Sequence, residues 1–176
     1  MKVTDLVQQP NGWTRFHLSV GGFVVKNCRW RVQTGRIFFP LRYDRYHQRH
    51  KVVFAHGATV KRLRTLLESG ESETPRDRRP CHLKIHRFGQ SYEEHTWIIF
   101  NFTVRGFTIL GCRWQPHSGS IQLPITFYRD EQAHRWCRKA VVCAFGAHIM
   151  RLRRALEARA GWSAQEEEQP VAEVGA

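Results

Sequence analysis

The chain lacks the features that mark membrane-spanning and secreted proteins. No apolar run in its 176 residues approaches the ~20 residues that a helix needs to cross a bilayer. Residues 1–4 lead directly into alternating sequence with no secretory pattern. There is also no lipidation signal and no long amphipathic basic helix. We therefore expect a cytoplasmic protein with no membrane partner.

Close cysteine pairs are also lacking. The five cysteines do not suggest a disulfide framework. Cys28 and Cys112 take equivalent strand positions in the two halves of the chain, which predicts small, reduced core residues. His134, Cys137 and Cys143 come nearest to a metal cluster, but they lack the paired cysteines that zinc sites favour. We expect neither a metal nor another cofactor.

Motifs of the common enzyme classes are absent from the sequence. It has no Gly-rich phosphate loop, no Gly-x-Ser-x-Gly and no His-Glu-x-x-His. Asp130 and Glu131 with His134 could form the corner of a metal-dependent nuclease. The first half of the chain has only Asp44 and its neighbouring histidines at the matching place. We therefore expect a protein that is not an enzyme.

Acidic residues are outnumbered by basic ones. The chain has 28 Lys and Arg against 15 Asp and Glu, a net charge of +13. Such a surface attracts polyanions and predicts at least non-specific binding to nucleic acid. An alternative is a protein-interaction module whose basic face meets an acidic partner. Tight binding to a protein, without competition from an oligonucleotide, would distinguish that module.

What the chain does contain is an internal repeat. Residues of the first half recur 84 positions later, and the recurring set includes Cys28, Gly35 and Pro40, which reappear as Cys112, Gly119 and Pro124. Further along, Val52 and Gly57 reappear 89 positions later as Val141 and Gly146. The second copy therefore carries an insertion between Arg129 and Ala140. A repeat of this length predicts one supersecondary unit that is used twice.

Within each copy the apolar period is two before it becomes helical. In the first copy it predicts strands over residues 13–20, 23–32, 36–43 and 51–55, with Pro40 marking a bulge or an edge. A helix follows, with Val60, Leu63 and Leu67 on one face. The second copy predicts strands over residues 96–104, 107–115, 120–128 and 138–144, followed by a helix that places Ile149, Leu152 and Leu156 inward. Leading strands are predicted at residues 2–7 and 82–88.

These patterns predict an α+β fold of two tandem β-β-β-β-α repeats. Each repeat is a curved antiparallel sheet with one helix over a face, and we expect the repeats to pack as an intramolecular pseudo-dimer, with a homodimer also possible. The repeats cover residues 1–69 and 81–162, joined by a polar linker at residues 70–80. Residues 163–176 are expected to be a disordered acidic tail, which either competes with nucleic acid for the basic surface or aids solubility.

The segment after the third strand alternates cations with aromatic rings. Cations neutralise phosphates, and ring faces accept unstacked bases. The candidate nucleic-acid-binding residues of the first copy are Arg42, Tyr43, Arg45, Tyr46, His47, Arg49, His50 and Lys51. Those of the second copy are Tyr128, Arg129, Arg135, Trp136, Arg138 and Lys139. A second basic set consists of the strand residues Arg29, Arg31 and Arg113.

Rings and cations interleaved on strands and loops favour single strands, whereas duplex readers tend to insert a helix or a ribbon into a groove. Two structural alternatives remain open. Tyr43 and Tyr46 either stack on bases or pack within the sheet. Trp30 and Trp114 either belong to the core or stack on bases, and we predict the core, since Arg29 and Arg31 share the sheet face opposite to Trp30.

Three segments of the first copy resemble the stage V sporulation protein G (SpoVG) family. They are Val3-Thr4-Asp5, the strand Gly22-Phe23-Val24-Val25 leading to Arg29, and the strand end Gly35-Arg36-Ile37-Phe38-Phe39-Pro40. The resemblance implies a small bacterial nucleic-acid binder with a sheet covered by a helix that pairs as a dimer. The family follows its proline with a serine-lysine-arginine run, and here Arg42 and Arg45, and Arg129 in the second copy, take that place.

The units are also similar to those of Whirly and Pur-alpha type single-strand binders, and the fused repeat is similar to the latter. Together these resemblances imply a protein that binds nucleic acid, but they differ on whether the bound strand is single or double. From the interleaved rings and cations we expect a non-catalytic protein that binds single-stranded DNA or RNA in preference to duplex, in a regulatory or protective role in a bacterial cell. The alternative within this class is a transcriptional regulator that binds double-stranded DNA.

Overall fold

The computed structural model describes residues 1–44, 46, 48–55, 57–71, 82–90, 96–130, 132 and 135–161, without the side chain of Arg129. Several sequence-based expectations therefore lie outside the described residues: those for Arg45 and His47, for most of the linker, and for the tail at residues 163–176. Within the described part the chain forms antiparallel sheets and two helices. The α+β class is confirmed.

The strands of the first half are, in chain order, β1 (Lys2–Gln8), β2 (Thr14–Val20), β3 (Phe23–Arg31), β4 (Arg36–Phe38), β5 (Leu41–Tyr43), β6 (Arg49–Lys51) and β7 (Val53–Ala55). Helix α1 (Gly57–Ser69) follows. Those of the second half are β8 (Leu83–Gln90), β9 (Ile98–Val104), β10 (Phe107–Gln115), β11 (Ser120–Gln122), β12 (Ile125–Asp130), β13 (Arg135–Ala140) and β14 (Val142–Ala144), followed by α2 (Ala147–Ala160). Neither described helix is long and apolar enough to cross a membrane.

Two five-stranded sheets form most of the structure. The first has the order β1-β2-β3-β14, with β4 also paired to β3, and the second has the order β11-β10-β9-β8, with β7 also paired to β10. The remaining strands form two hairpins, β5–β6 and β12–β13. Each sheet thus receives one short strand from the other half of the chain.

The crossed strands are β7 and β14. Val53 of β7 lies opposite Ile109 of β10, and Val142 of β14 lies opposite Val25 of β3. The apolar period predicted residues 51–55 and 138–144 as strands of their own sheets, and this pairing was wrong. A period of two shows which side chains share a face but not which strand lies alongside. β4 pairs with only one end of β3, and the rest of that edge pairs with β14 from the other half of the chain.

Two of the predicted strands are also interrupted by proline. Residues 36–43 were expected as one strand, but β4 ends at Phe38 and β5 begins at Leu41, with Pro40 between them. Pro124 separates β11 from β12 in the same way. Proline has no N–H to donate to a ladder, so the chain leaves the sheet there and continues as a separate hairpin.

The helices begin over turns of the sheets. Thr59 of α1 lies against Gly106 in the β9–β10 turn, and His148 of α2 lies against Gly22 in the β2–β3 turn. Both glycines have positive φ, 83° and 89°, and a Cβ at either would overlap these side chains. Arg151 of α2 also donates to the carbonyl oxygen of Gly21, 2.7 Å away. Each helix thus begins over the sheet that the preceding strand joins: α1 over the second sheet, after β7, and α2 over the first, after β14.

Both sheets and both helices contribute to one core cluster. Leu63 and Leu67 of α1 and Leu152 and Leu156 of α2 are buried, as their spacing predicted, whereas Val60 and Ile149 are only partly buried. The rings of Phe23 and Phe102 meet between the halves with their centroids 4.7 Å apart. The buried set also includes Cys28, Cys112, Trp30 and Trp114, which confirms that these residues belong to the core.

Candidate nucleic-acid interface

The segments in which cations alternate with rings form the two hairpins. In the first, Leu41 lies opposite Lys51 and Tyr43 opposite Arg49. In the second, Ile125 lies opposite Ala140 and Phe127 opposite Arg138. The insertion that the sequence predicted after Arg129 lengthens this second hairpin, whose strands extend to Asp130 and from Arg135.

Each hairpin holds a guanidinium over an aromatic ring. The Arg49 guanidinium carbon lies 5.8 Å from the centroid of the Tyr43 ring. The Arg138 carbon lies 5.6 Å from the centroid of the Phe127 ring. Such pairs orient a long cationic side chain while leaving its charge available to an anion. Since Arg49 covers one face of Tyr43, only the remainder of that ring is available to a base.

The two hairpins lie side by side. The backbone N–H of Tyr43 donates to Oγ1 of Thr126, 3.1 Å away. This bond joins the strand that carries Arg42 to the strand that carries Tyr128. The structure therefore brings the two basic segments together, although they are far apart in the chain.

Asp44 organises the end of the first hairpin. Its Oδ1 accepts the backbone N–H groups of Tyr46 and Gln48, both at 2.9 Å, and its Oδ2 lies 3.1 Å from Nε2 of His50. The hydrogen bond to His50, together with these N–H groups, lowers the pKa of the Asp44 carboxyl. This carboxylate therefore anchors the end of the hairpin and stays ionised, and its charge acts to raise the pKa of Arg42.

Arg42 and Lys51 lie on opposite faces of the first hairpin, because Lys51 pairs with Leu41, the residue next to Arg42. Its guanidinium lies against Gly111 of β10. Burial and, after it, the charge of Arg113 lower the pKa of Arg42. Arg42 and Arg113, with His50 opposite Arg42 in the β5–β6 ladder, therefore form a partly buried basic group on a second side of the hairpins.

A third basic group covers the outer face of the first sheet. Arg15 lies directly opposite Arg29 on neighbouring strands, and Arg31 lies directly opposite Arg36. All four side chains are exposed. The Arg31 guanidinium carbon lies 5.7 Å from the centroid of the Trp13 ring. Like charges directly opposite each other destabilise a sheet, so the two arginines of each pair repel each other across the strands of this face.

An open cleft of about 960 Å³ connects this sheet face with the hairpins. Its cations are Arg15, Arg29, Lys51 and Lys139, and its aromatic residues are Trp13, Phe38, Phe39, Tyr43, Phe54, Phe127 and Tyr128. No acidic residue is among the described residues that line it. The Tyr128 phenol has its pKa raised, chiefly by interaction with the Cys137 thiol and by desolvation. This ring is therefore uncharged beside the cations.

Most of the predicted site residues are accessible. The exposed ones are Arg29, Arg31, Tyr46, Arg49, Lys51, Tyr128, Arg135, Trp136, Arg138 and Lys139, and the partly buried ones are Arg42, Tyr43, His50 and Arg113. Of these, the cleft unites Arg29, Tyr43, Lys51, Tyr128 and Lys139. Arg135 and Trp136 instead lie toward the far end of the second hairpin, opposite Asp130 and Arg129.

The sequence-based prediction missed Arg36 of the sheet face and several residues of the cleft, which are Trp13, Arg15, Phe38, Phe39, Phe54 and Phe127. A signal existed for Arg15, which alternates with the buried residues Phe16 and Leu18. No sequence signal placed Phe54 there, because β7 reaches the cleft only through its pairing with β10. Within the described part of the chain, no group of three His, Cys, Asp or Glu residues could hold a metal ion.

Comparison with known proteins adds no relationship to this geometry. No family model, no curated protein and no solved structure matches the chain. The resemblance to the SpoVG family, and to Whirly and Pur-alpha type proteins, therefore stays a prediction from the motifs named above.

Proposed function

We propose that this protein binds nucleic acid without catalysing a reaction on it, and that it prefers single-stranded DNA or RNA to duplex. The observation that carries the proposal is the side-by-side placement of the two hairpins, joined between Tyr43 and Thr126. Each presents a guanidinium held over a ring. The net charge of +13 adds long-range attraction for a polyanion.

The arrangement of the cations favours contact with phosphates. Arg49, Lys51, Arg138 and Lys139 are exposed on the two hairpins. Arg15 and Arg29 of the first sheet line the same cleft as Lys51 and Lys139 and extend this positive surface. Phosphate contacts fix a strand without reading its sequence, so this surface accounts for affinity and for broad rather than narrow sequence preference.

The proposal includes a doubled unit that forms a pseudo-dimer within one chain. Two backbone hydrogen bonds support it: Lys26 N–H donates to Val141 O and Leu110 N–H donates to Val52 O, both at 2.9 Å. Lys26 and Leu110 are 84 residues apart, and Val52 and Val141 are 89 apart, which are the two offsets of the sequence repeat. In this proposal the protein acts in the cytoplasm of a bacterial cell, in a regulatory or protective role.

A matched pair of charge variants tests the hairpin surface. The first carries Arg49→Gln, Lys51→Gln, Arg138→Gln and Lys139→Gln. The control carries Lys61→Gln, Arg62→Gln, Lys84→Gln and Arg154→Gln, which removes the same charge from exposed positions outside the hairpins and the cleft. Affinity for a labelled single-stranded oligonucleotide is measured over a range of salt concentrations.

We expect the hairpin variant to lose affinity at low salt. The slope of log affinity against log salt should flatten by about 0.7 for each phosphate contact removed. The control variant should keep most of the affinity at low salt and most of the slope. Equal losses in the two variants would show that only net charge matters and would overturn the assignment to the hairpins. Tight binding of an acidic protein that oligonucleotides do not displace would favour the protein-interaction alternative.

A further inference from the structure

Four residues that line the cleft are not repeated in the second half of the chain. By the offsets of the sequence repeat, Arg15 and Phe38 correspond to Ile99 and Gln122, 84 residues later, and Lys51 and Phe54 correspond to Ala140 and Cys143, 89 residues later. Two cations and two exposed rings are therefore missing at the corresponding positions of the second half. Arg29 and Arg113 are alike, but Arg29 faces Arg15 across the strands, whereas Arg113 faces Ile99.

Rings in the cleft are unusually exposed for apolar side chains. The exposed fractions of Phe38, Phe54 and Tyr128 are 51%, 47% and 46%. They lie on three different elements, β4, β7 and β12, that converge only in the folded chain. Contiguous exposed apolar surface rimmed by polar groups marks a binding site. The rim here consists of Arg15, Arg29 and two lysines, so the occupant combines flat apolar faces with negative charge.

A nucleic-acid strand with unpaired bases has that combination. In a duplex the faces of each base are covered by its neighbours, so a protein ring cannot stack on them. Unstacked bases, in contrast, can turn onto aromatic side chains while the phosphates follow the cations. The volume of about 960 Å³ lies at the upper end of the range for ligand sites, about 300–1,000 Å³. It accommodates about two or three bases, the number that a small sheet surface typically stacks.

We propose, on the basis of the function proposed above, that this cleft is a base-binding site and that each chain has one. Phe38, Phe54 and Tyr128 offer faces to unpaired bases. Arg15 and Arg29 hold the phosphates between them, which relieves the repulsion of this opposed pair. Lys51 and Lys139 close the other side. The preference for single strands thus arises in the cleft, and the hairpin cations outside it, Arg49 and Arg138, supply affinity without regard to base stacking.

The test compares two oligonucleotides of equal length and charge: a thymidylate strand and an abasic strand that has the same phosphates without bases. The variant is the double substitution Phe38→Leu and Phe54→Leu, which keeps apolar bulk but removes the flat rings. Phe145→Leu is the matched control, because Phe145 is an exposed phenylalanine, 73% accessible, outside the cleft. Tyr128→Leu, on a separate hairpin, serves as a second variant should the first fail to fold.

We expect wild type to bind thymidylate more tightly than the abasic strand, by about 5- to 150-fold for each stacked base. The cleft variants should lose that difference and keep their affinity for the abasic strand, and Phe145→Leu should behave like wild type. Calorimetry should give one short strand per chain.

Each of the other results would overturn the proposal. Equal wild-type affinity for the two strands, or an unchanged difference in the cleft variants, would contradict base binding in the cleft but not the proposed function. A stoichiometry of two strands per chain would contradict the claim that each chain has one base-binding site. A wild-type protein that binds neither strand would contradict both the proposed function and base binding in the cleft.

Discussion

Arg15 and Arg29 lie directly opposite each other on neighbouring antiparallel strands, and both side chains are exposed. Arg31 and Arg36 repeat this relationship one pair further along the sheet. A sheet gains nothing from two such pairs, since like charges in directly opposed positions repel. Arg15 and Arg29 line the cleft, and this placement gives that pair a use in binding an anion.

Arg15→Gln should therefore stabilise the free protein and weaken its binding. Relief of the repulsion raises the free energy of unfolding by about 0.2–1 kcal/mol at low salt, and the gain shrinks as salt screens the pair. Urea unfolding at low and high salt measures the first effect, and oligonucleotide titration measures the second. Arg62→Gln, on the exposed face of α1, is the control. A variant that is less stable than wild type at low salt would contradict this account of the pair.

The crossed strands predict that neither half of the chain folds by itself as a monomer. A cut within residues 72–81 leaves β3 without β14 and β10 without β7. Each separated half then exposes an unpaired strand edge and the apolar side chains beneath it. We expect each half to be unfolded or self-associated, and an equimolar mixture to recover the circular dichroism and the unfolding transition of the intact chain.

Sedimentation of the separate halves at low concentration decides this point. A half that stays monomeric and unfolds cooperatively would show that β7 and β14 are dispensable for folding. Recovery on mixing would show instead that the exchanged strands hold the two sheets together.

The buried thiols predict a loss of stability at alkaline pH. Burial raises the pKa of Cys28 from 9.0 to about 12, and burial likewise raises the pKa of Cys112. Above pH 9.0 the unfolded chain loses these protons while the folded chain retains them. Stability therefore falls as pH rises, by about 1.4 kcal/mol per pH unit for each thiol, until the thiol of the folded chain also ionises.

Urea unfolding of wild type and of Cys28→Ala/Cys112→Ala over that pH range isolates the thiol contribution. We expect a shallower decline in the double variant, whose other titrating groups are unchanged. Parallel declines in the two proteins would mean that the thiols do not ionise differently in the folded and unfolded states.

Local features of the fold could be predicted from the sequence, and its long-range pairing could not. Alternation placed β2, β3, β9 and β10, and helical spacing placed the buried leucines Leu63 and Leu152. Both signals depend only on which side chains face the core. The partner of β7 depends on an edge that exists only once the second half has folded, and a strand of three residues carries no signal for that partner.

The candidate site likewise has residues that could be predicted from the sequence and residues that could not. Arg49, Lys51, Arg138 and Lys139 could be predicted because cations and rings alternate along one continuous segment. Phe38 and Phe54 could not, because a single exposed ring in a short strand is indistinguishable from a core residue in sequence. Trp13 lies beside them and meets the Phe38 ring edge-on, 5.2 Å between centroids. The cleft is assembled from residues that lie far apart in the chain.

The central claim is that the basic, ring-lined surface holds single-stranded nucleic acid. Its most direct test is the displacement of a labelled single strand by unlabelled single strand and by duplex of the same length, at low and at physiological salt. We expect binding that weakens as salt rises, and displacement that needs far less single strand than duplex. Failure to bind the labelled strand even at low salt would contradict the claim, and displacement by duplex at the lower concentration would contradict the preference for single strands.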